Sequence, residues 1–398
     1  MKNKFSLLFA LGLLANFAVS AQGILFQKGT WAEIKTKAQD ENKHIFIDAY
    51  TTWCGPCKWQ SKKVFPQKEV GDFFNKNFVA FKLDMEKGEG KAFAKKYKVR
   101  SYPTLLYFNP KGEIVHRTVG AYPAKKLLQQ ANKALHPKTQ LYPLKRRFEK
   151  GEKSQDFLKK YVAALADAYE DFSKPVAMYL RQMGKNSWAT TEGWEFISQY
   201  ARKSSDEAFE YVMKNQGLFA KAAGDSEKVN KYITGVLKEN IQSVARSKNP
   251  NRLAAFKTQL KETFGKEADR YIAKAEYIFY ANDKDKAVQY ACRYFDNYCN
   301  DAFEFDQIAW RYHEKYDDPQ RLAKALKWAE KSVQMNKAFF NMGTQAHLLF
   351  KLKRYQESKK VTNEAIALAQ KAPKDIKGWA EEVKTALEKL LAKIQTKL

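Results

Sequence analysis

Two thiols stand three residues apart in the run Trp53-Cys54-Gly55-Pro56-Cys57-Lys58, with Gly-Pro between them. Such a pair can exchange a disulfide with another molecule, because a thiolate attacks a disulfide sulfur and a second thiol resolves the mixed species. The flanking residues say where the pair sits. His44-Ile45-Phe46-Ile47-Asp48-Ala49-Tyr50 before it is apolar and β-rich and predicts a strand. Lys58 to Phe65 after it is helix-compatible and stops at Pro66. A strand that turns into a helix leaves the pair at a helix N-terminus, whose unpaired N–H groups and partial positive charge favour a thiolate. In that setting the first thiol of such a pair falls from roughly 8.5 into a range of about 3.5–7.5. Proline in the first helical turn gives up no needed donor, and the second cysteine lies one turn on. Two other readings compete: a purely structural disulfide, and a zinc site. Zinc asks for four ligands, usually from two such pairs. The remaining cysteines, Cys292 and Cys299, are not spaced that way, and the five histidines show no ligand spacing.

Around these residues the sequence resembles the thioredoxin family. Asp48, six before Cys54, matches the family's buried carboxylate, and Lys82 in Val79-Ala80-Phe81-Lys82-Leu83-Asp84 matches the lysine that pairs with it. Tyr102-Pro103-Thr104 matches the cis-proline segment that faces the disulfide, and Gly120 in Val119-Gly120-Ala121 matches the substrate-groove glycine. The resemblance covers residues 22–137. The sequence departs from the pattern at Tyr50, where many members have tryptophan, at Ser101-Tyr102, and at Glu86 to Gly90, which looks inserted.

The resemblance implies a set of roles. Cys54 is the exposed nucleophile and Cys57 the more buried resolving thiol. Asp48 accepts the proton of Cys57 through water, and Lys82 holds that carboxylate. A cis Pro103 exposes the backbone of Tyr102 to an extended substrate strand, and Trp53 and Gly120 shape the docking surface. No cofactor and no metal is implied.

The other elements follow from pattern. Thr30 to Asn42 predicts a helix with Trp31, Ile34 and Ala38 on one side. Glu69 to Asn75 and Gly90 to Tyr97 predict two more, and Phe78 to Asp84 and Thr104 to Phe108 predict strands. Asn109-Pro110-Lys111-Gly112 is a turn signal, Glu113 to Val119 completes a hairpin, and Ala124 to Leu135 closes the module. That order gives an α/β domain, a mixed sheet with helices on both sides. Residues 138–150, polar and basic, read as a linker.

From 151 to 398 helical periodicity takes over, starting with Phe157, Tyr161, Leu165 and Tyr169 at four-residue spacing. Helix breaks are expected at Ser173-Lys174-Pro175, Gly184-Lys185-Asn186, Lys248-Asn249-Pro250 and Asp317-Asp318-Pro319. Ala325, Ser332, Val333 and Met335 recur as Ser358, Ala365, Ile366 and Leu368, all 33 residues apart. That period resembles tetratricopeptide repeats over residues 304–370, and implies a stacked all-helical domain with a concave surface. Cys292 and Cys299, seven apart, would lie about 10 Å from one another on one helix, beyond the reach of about 7 Å for a disulfide. A helix end at Asp296-Asn297 would let them meet. They read as buried free thiols or a structural bridge.

Composition bounds the function class. The chain has 398 residues, 44% of them apolar, enough for two or three domains with real cores. Its 71 basic and 44 acidic residues leave a net charge of +27. The lysines are scattered along amphipathic helices and no nucleic-acid motif accompanies them, so a basic surface or an anionic envelope partner is expected rather than nucleic acid. Met1-Lys2-Asn3-Lys4, the apolar run Phe5 to Val19 and the small-residue ending Val19-Ser20-Ala21 read as a signal peptide cut before Gln22. The expected product is periplasmic or secreted, without a transmembrane anchor.

These readings converge on an exported thiol–disulfide oxidoreductase that reduces protein disulfides and is recharged by a membrane or envelope thiol–disulfide reductase. Its helical domain would select substrate or partner. A disulfide isomerase or oxidase is the alternative within the same chemistry. An adaptor carrying a redox-idle module is the alternative outside it.

Overall fold

The computed structural model describes residues 23–398. The expected signal peptide, residues 1–21, lies outside the described residues. The chain divides into two compact units. The first runs up to Arg202 and takes in Asn215–Val229; the second comprises Lys203–Lys214 and Asn230–Leu398.

The first unit begins with β1 (Phe26–Gln27), α1 (Trp31–Asp40), β2 (His44–Tyr50), α2 (Gly55–Lys63) and α3 (Lys68–Asn77). It continues through β3 (Phe78–Asp84), α4 (Gly90–Lys96), β4 (Thr104–Phe108), β5 (Ile114–Val119) and α5 (Ala124–Leu135). The five strands lie in the order β1-β3-β2-β4-β5. β1, β3 and β2 run parallel, and β4 is antiparallel to both β2 and β5. The mixed sheet is the expected one, apart from the added two-residue edge strand β1.

Alternation along the strands fills two cores. Phe46, Ala80, Leu105 and Tyr107 meet Val64 and Phe65 after α2, Phe74 of α3 and Leu127 of α5. Ile45, Ile47, Phe81, Leu106 and Phe108 meet Ile34 of α1 and Phe93 of α4. Successive side chains of a strand point to opposite faces. A sheet buried on both faces therefore reads as continuous apolar runs. Asp48 and Lys82 share parity with Phe46 and Ala80, so both face the layer that holds α2. The helix starts are local: Thr30 Oγ1 accepts from Glu33 N, and the Glu33 carboxylate accepts from Thr30 N, the reciprocal cap that opens α1.

Residues 138–150, expected from the sequence as a linker, carry a helix packed on the first unit. They contain α6 (Leu141–Glu149), whose Leu141 and Leu144 are buried. Leu141 N donates to His116 Nδ1 of β5 at 3.1 Å, and Gln140 Nε2 donates to Ala134 O at 2.7 Å. Leu141, Leu144 and Phe148 repeat at helical spacing, which the basic run Lys145-Arg146-Arg147 between them obscures. The first unit extends through α7 (Gln155–Asp167), α8 (Ser173–Met183) and the helix Thr191–Tyr200. The helical region expected as a single domain from 151 is thus divided between the two units.

The second unit is helical. Asn249 and Asp318 cap helices that begin at Pro250 and Pro319, at two of the expected breaks. The small residues of the 33-residue period, Ala325, Ser332, Ser358 and Ala365, are all buried. Ser332 Oγ donates to Ala302 O at 2.7 Å and Ser358 Oγ to Ala346 O at 2.9 Å, so each lies hard against the preceding helix. Cys292 and Cys299 are free, Cys299 buried and Cys292 half-buried, and burial pushes both thiols up. Among the described residues no helix is long and apolar enough to cross a membrane.

Candidate active site

Cys54 is the N-cap of α2, and Pro56 lies in the helix's first turn. Cys54 Sγ accepts from Cys57 N at 3.2 Å and is bonded to Cys57 Sγ. The loop that delivers it is pinned by Cys54 N donating to Thr51 O at 3.3 Å. Both cysteines are 3% exposed. Cys54, expected as the exposed member of the pair, is therefore as buried as Cys57. Its sulfur turns inward over the first helical turn, toward Cys57 and its N–H.

The buried stripe of α2 runs Cys57, Gln60, Ser61, Val64, with Ser61 half-buried. Residues three and four apart share a helix face. Because Val64 belongs to the core that Phe46 fills, Cys57 points into the layer that holds Asp48 and Lys82. Asp48 is 1% exposed. Lys82 is its Cα partner across the β2–β3 register, with Nζ 3.2 Å from Asp48 Oδ2. The lysine also donates to Ser61 Oγ, one turn beyond Cys57, while its contact with Asp48 Oδ2 forms an ion pair. Burial pushes the Asp48 carboxyl above its ordinary value, and the Lys82 charge pulls against that shift. Phe26, Tyr50 and Phe65 ring the ammonium at 5.2–5.3 Å from its nitrogen, a geometry in which ring faces attract a cation. β1, although short, supplies one of these rings.

A second group of residues borders the disulfide from the outside. Trp53 is 64% exposed and meets Tyr102 edge-on at 5.9 Å between centroids. Trp53 Nε1 donates to Glu86 Oε2 at 3.0 Å. The segment that looked inserted in the sequence therefore holds the indole beside Cys54. The Tyr102–Pro103 peptide is cis. Gly120 takes φ +109°, a backbone that favours glycine, and its N–H donates to Pro103 O at 2.8 Å. Gln60 fastens this rim to α2: its Oε1 accepts from Tyr122 N at 2.9 Å.

The eight residues singled out from the sequence thus form two adjoining sets. Cys57, on the inner face of α2, joins Asp48 and Lys82 beneath that helix; Cys54, Trp53, Tyr102, Pro103 and Gly120 surround its start. Sequence reasoning missed Gln60, Ser61 and Glu86. Polar residues on the inward stripe of a short helix were a usable signal for Gln60 and Ser61. Nothing local marks Glu86, since its partner lies 33 residues away.

A family model for the thioredoxin-like domain matches residues 32–135. Chloroplastic thioredoxin Y of Oryza sativa is 31% identical over 130 residues, which cover 32% of this chain and 74% of that protein. A thioredoxin-like protein of Synechocystis is 35% identical over 88 residues, covering 22% of this chain and 78% of its own. The solution structure of a candidate disulphide-isomerase from Bacteroides thetaiotaomicron is 48% identical, covering 29% of this chain and 95% of its own, with a TM-score of 0.28. With the fold of that domain in its first unit and the Cys54–Cys57 pair at the start of α2, the chain belongs to the thioredoxin family of oxidoreductases.

Proposed function

We propose that the protein is an exported thiol–disulfide oxidoreductase that reduces disulfides of other proteins. The observation that carries this reading is the setting of the pair. Cys54 caps a helix whose Cys57 N–H donates to its sulfur, and Cys57 points into a layer holding a buried carboxylate. The reduced protein attacks with the Cys54 thiolate. One substrate S–S bond breaks, a Cys54–substrate disulfide forms, and the first substrate sulfur leaves as a thiolate that takes a proton from water. Cys57 then loses its proton to Asp48, directly or through water, and attacks Cys54 Sγ. The second substrate sulfur leaves, and two electrons have passed from the protein dithiol to the substrate. A dithiol reductant of the cell envelope would restore the pair.

The raised Asp48 carboxyl suits the proton step, because raising a carboxyl's pKa makes its ionised form a stronger base toward the Cys57 thiol. Lys82, held by Ser61 and its aromatic ring, keeps that carboxylate in place. Trp53, Tyr102, Pro103 and Gly120 would receive the substrate strand. The apolar run before Gln22 supports export, and the 33-residue period supports a tetratricopeptide-like array in the second unit that selects substrates. The test is reduction of insulin by the chain beginning at Gln22. Turnover that the Cys54→Ser variant lacks is expected; equal rates for the two would refute the proposal.

A further inference from the structure

A cleft of about 640 Å³ opens in the first unit, along the outer side of the loop that carries Tyr102 and Pro103. Its near rim is formed by Ser101 and Val119, each one residue from a member of the groove beside the disulfide, Tyr102 and Gly120. Five cationic side chains line it: Lys96 at the end of α4, Lys98 and Arg100 after it, Arg117 of β5, and Lys145 of α6. The one carboxylate in the lining, Glu170, is taken up by an ion pair with Lys145. Arg117 is 8% exposed; its Nη1 donates to Tyr97 O at 3.1 Å, and its Nε meets no acceptor among the described residues. A guanidinium stays charged at any pH a protein meets, so Arg117 adds a fixed positive charge to the lining of the cleft.

A further wall comes from the segment after α7. Tyr169 is 73% exposed and takes φ +53°, at a helix end where glycine is usual. Its hydroxyl stands 3.7 Å from where a Cβ on Gly120 would lie. A ring held at that backbone cost beside the substrate-groove glycine, above a basic floor, has the build of a binding wall.

We infer that this cleft is the outer part of the substrate groove and receives an acidic, extended stretch of the substrate protein flanking the cysteine that bonds to Cys54. The inference rests on the proposed reduction of protein disulfides and names the substrates it prefers. The cleft exceeds what one small anion fills, and an extended chain advances about 3.3 Å per residue. A few residues on either side of the reacting cysteine therefore enter it, with a carboxylate meeting Arg117 and others the basic rim.

Two disulfide-bonded peptides test this, one with three glutamates on each side of one half-cystine and one with glutamines there. The pre-reduced full chain is mixed with each in single turnover at low salt. The glutamate peptide is expected to react at least tenfold faster. The K98Q/R100Q/K145Q variant should bring that preference below threefold. Tyr169→Gly, which relieves the positive φ and so spares the fold, should slow the glutamate peptide at least threefold. A control variant, K35Q/K37Q/K125Q, should keep the preference; if it loses it equally, general surface charge is responsible and the cleft is not. Equal rates for the two peptides with the unaltered chain would overturn the acidic preference while leaving the reductase reading intact. Reaction of neither peptide above the Cys54→Ser background would overturn both.

Discussion

Asp48 and Lys82 face each other across two parallel strands, Cα partners whose side chains come within 3.2 Å beneath the helix that carries the redox pair. Burial and the lysine act on the carboxyl in opposite directions, and burial prevails. The Asp48 carboxyl should titrate above its ordinary 3.8 in 13C NMR, and Lys82→Met should move it higher still. A raised acid stabilises the fold below the unfolded value and loses that contribution as pH rises through the folded one. Oxidised Asp48→Asn should therefore melt above the unaltered protein at pH 7, and the two should converge below pH 4. The same variant should resolve a preformed mixed disulfide about 100-fold more slowly at pH 7, with the deficit shrinking as pH rises and Cys57 ionises unaided.

Glu86 should matter for substrate docking and not for electron transfer. Its carboxylate holds an indole that is otherwise exposed. One such hydrogen bond contributes on the order of 1 kcal/mol, so Glu86→Ala should raise KM for a protein disulfide about fivefold. Its equilibrium with glutathione should match that of the unaltered pair. A shifted equilibrium with unchanged KM would assign Glu86 to tuning the sulfurs.

His116 gives the first unit an acid-sensitive joint. Burial, helped by Lys133, lowers its pKa to about 4, while its Nδ1 accepts from Leu141 N. A lowered histidine contributes stability above its unfolded value of 6.5 that is lost as pH falls toward the folded one. The unaltered chain should lose stability between pH 6.5 and about 4 relative to His116→Gln, which keeps an acceptor for Leu141 N. Calorimetry at pH 7 and 5 reads the difference.

Leu144, 1% exposed, tests whether α6 belongs to the redox unit. Leu144→Ala should cost about 2–4 kcal/mol in that unit's unfolding. A chain cut after Pro137 should melt well below one cut after Val229. Equal melting would return residues 138–150 to the role of a linker.

Much of this was legible from pattern. The bounds of β2, β3 and β4 coincide with the apolar runs, because a strand buried on both faces leaves little room for polar residues. The redox pair and its helix start are legible because Gly-Pro between two cysteines is local chemistry. What escaped is non-local. β1 is too short to carry a period. α6 hides its apolar spacing behind Lys145-Arg146-Arg147. Glu86 finds Trp53, and Tyr169 approaches Gly120, only through the fold. The burial of Cys54 follows from where its sulfur turns once bonded, which no spacing encodes.

The central claim is that Cys54 and Cys57 exchange electrons with other thiols. Equilibrating the full chain with defined ratios of reduced and oxidised glutathione, then counting free thiols at these two positions after alkylation, tests it most directly. A reversible two-electron transition is expected at a reducing potential, near that of the more reducing dithiol proteins at roughly −270 mV. A pair that stays bonded under every mild reductant would contradict it.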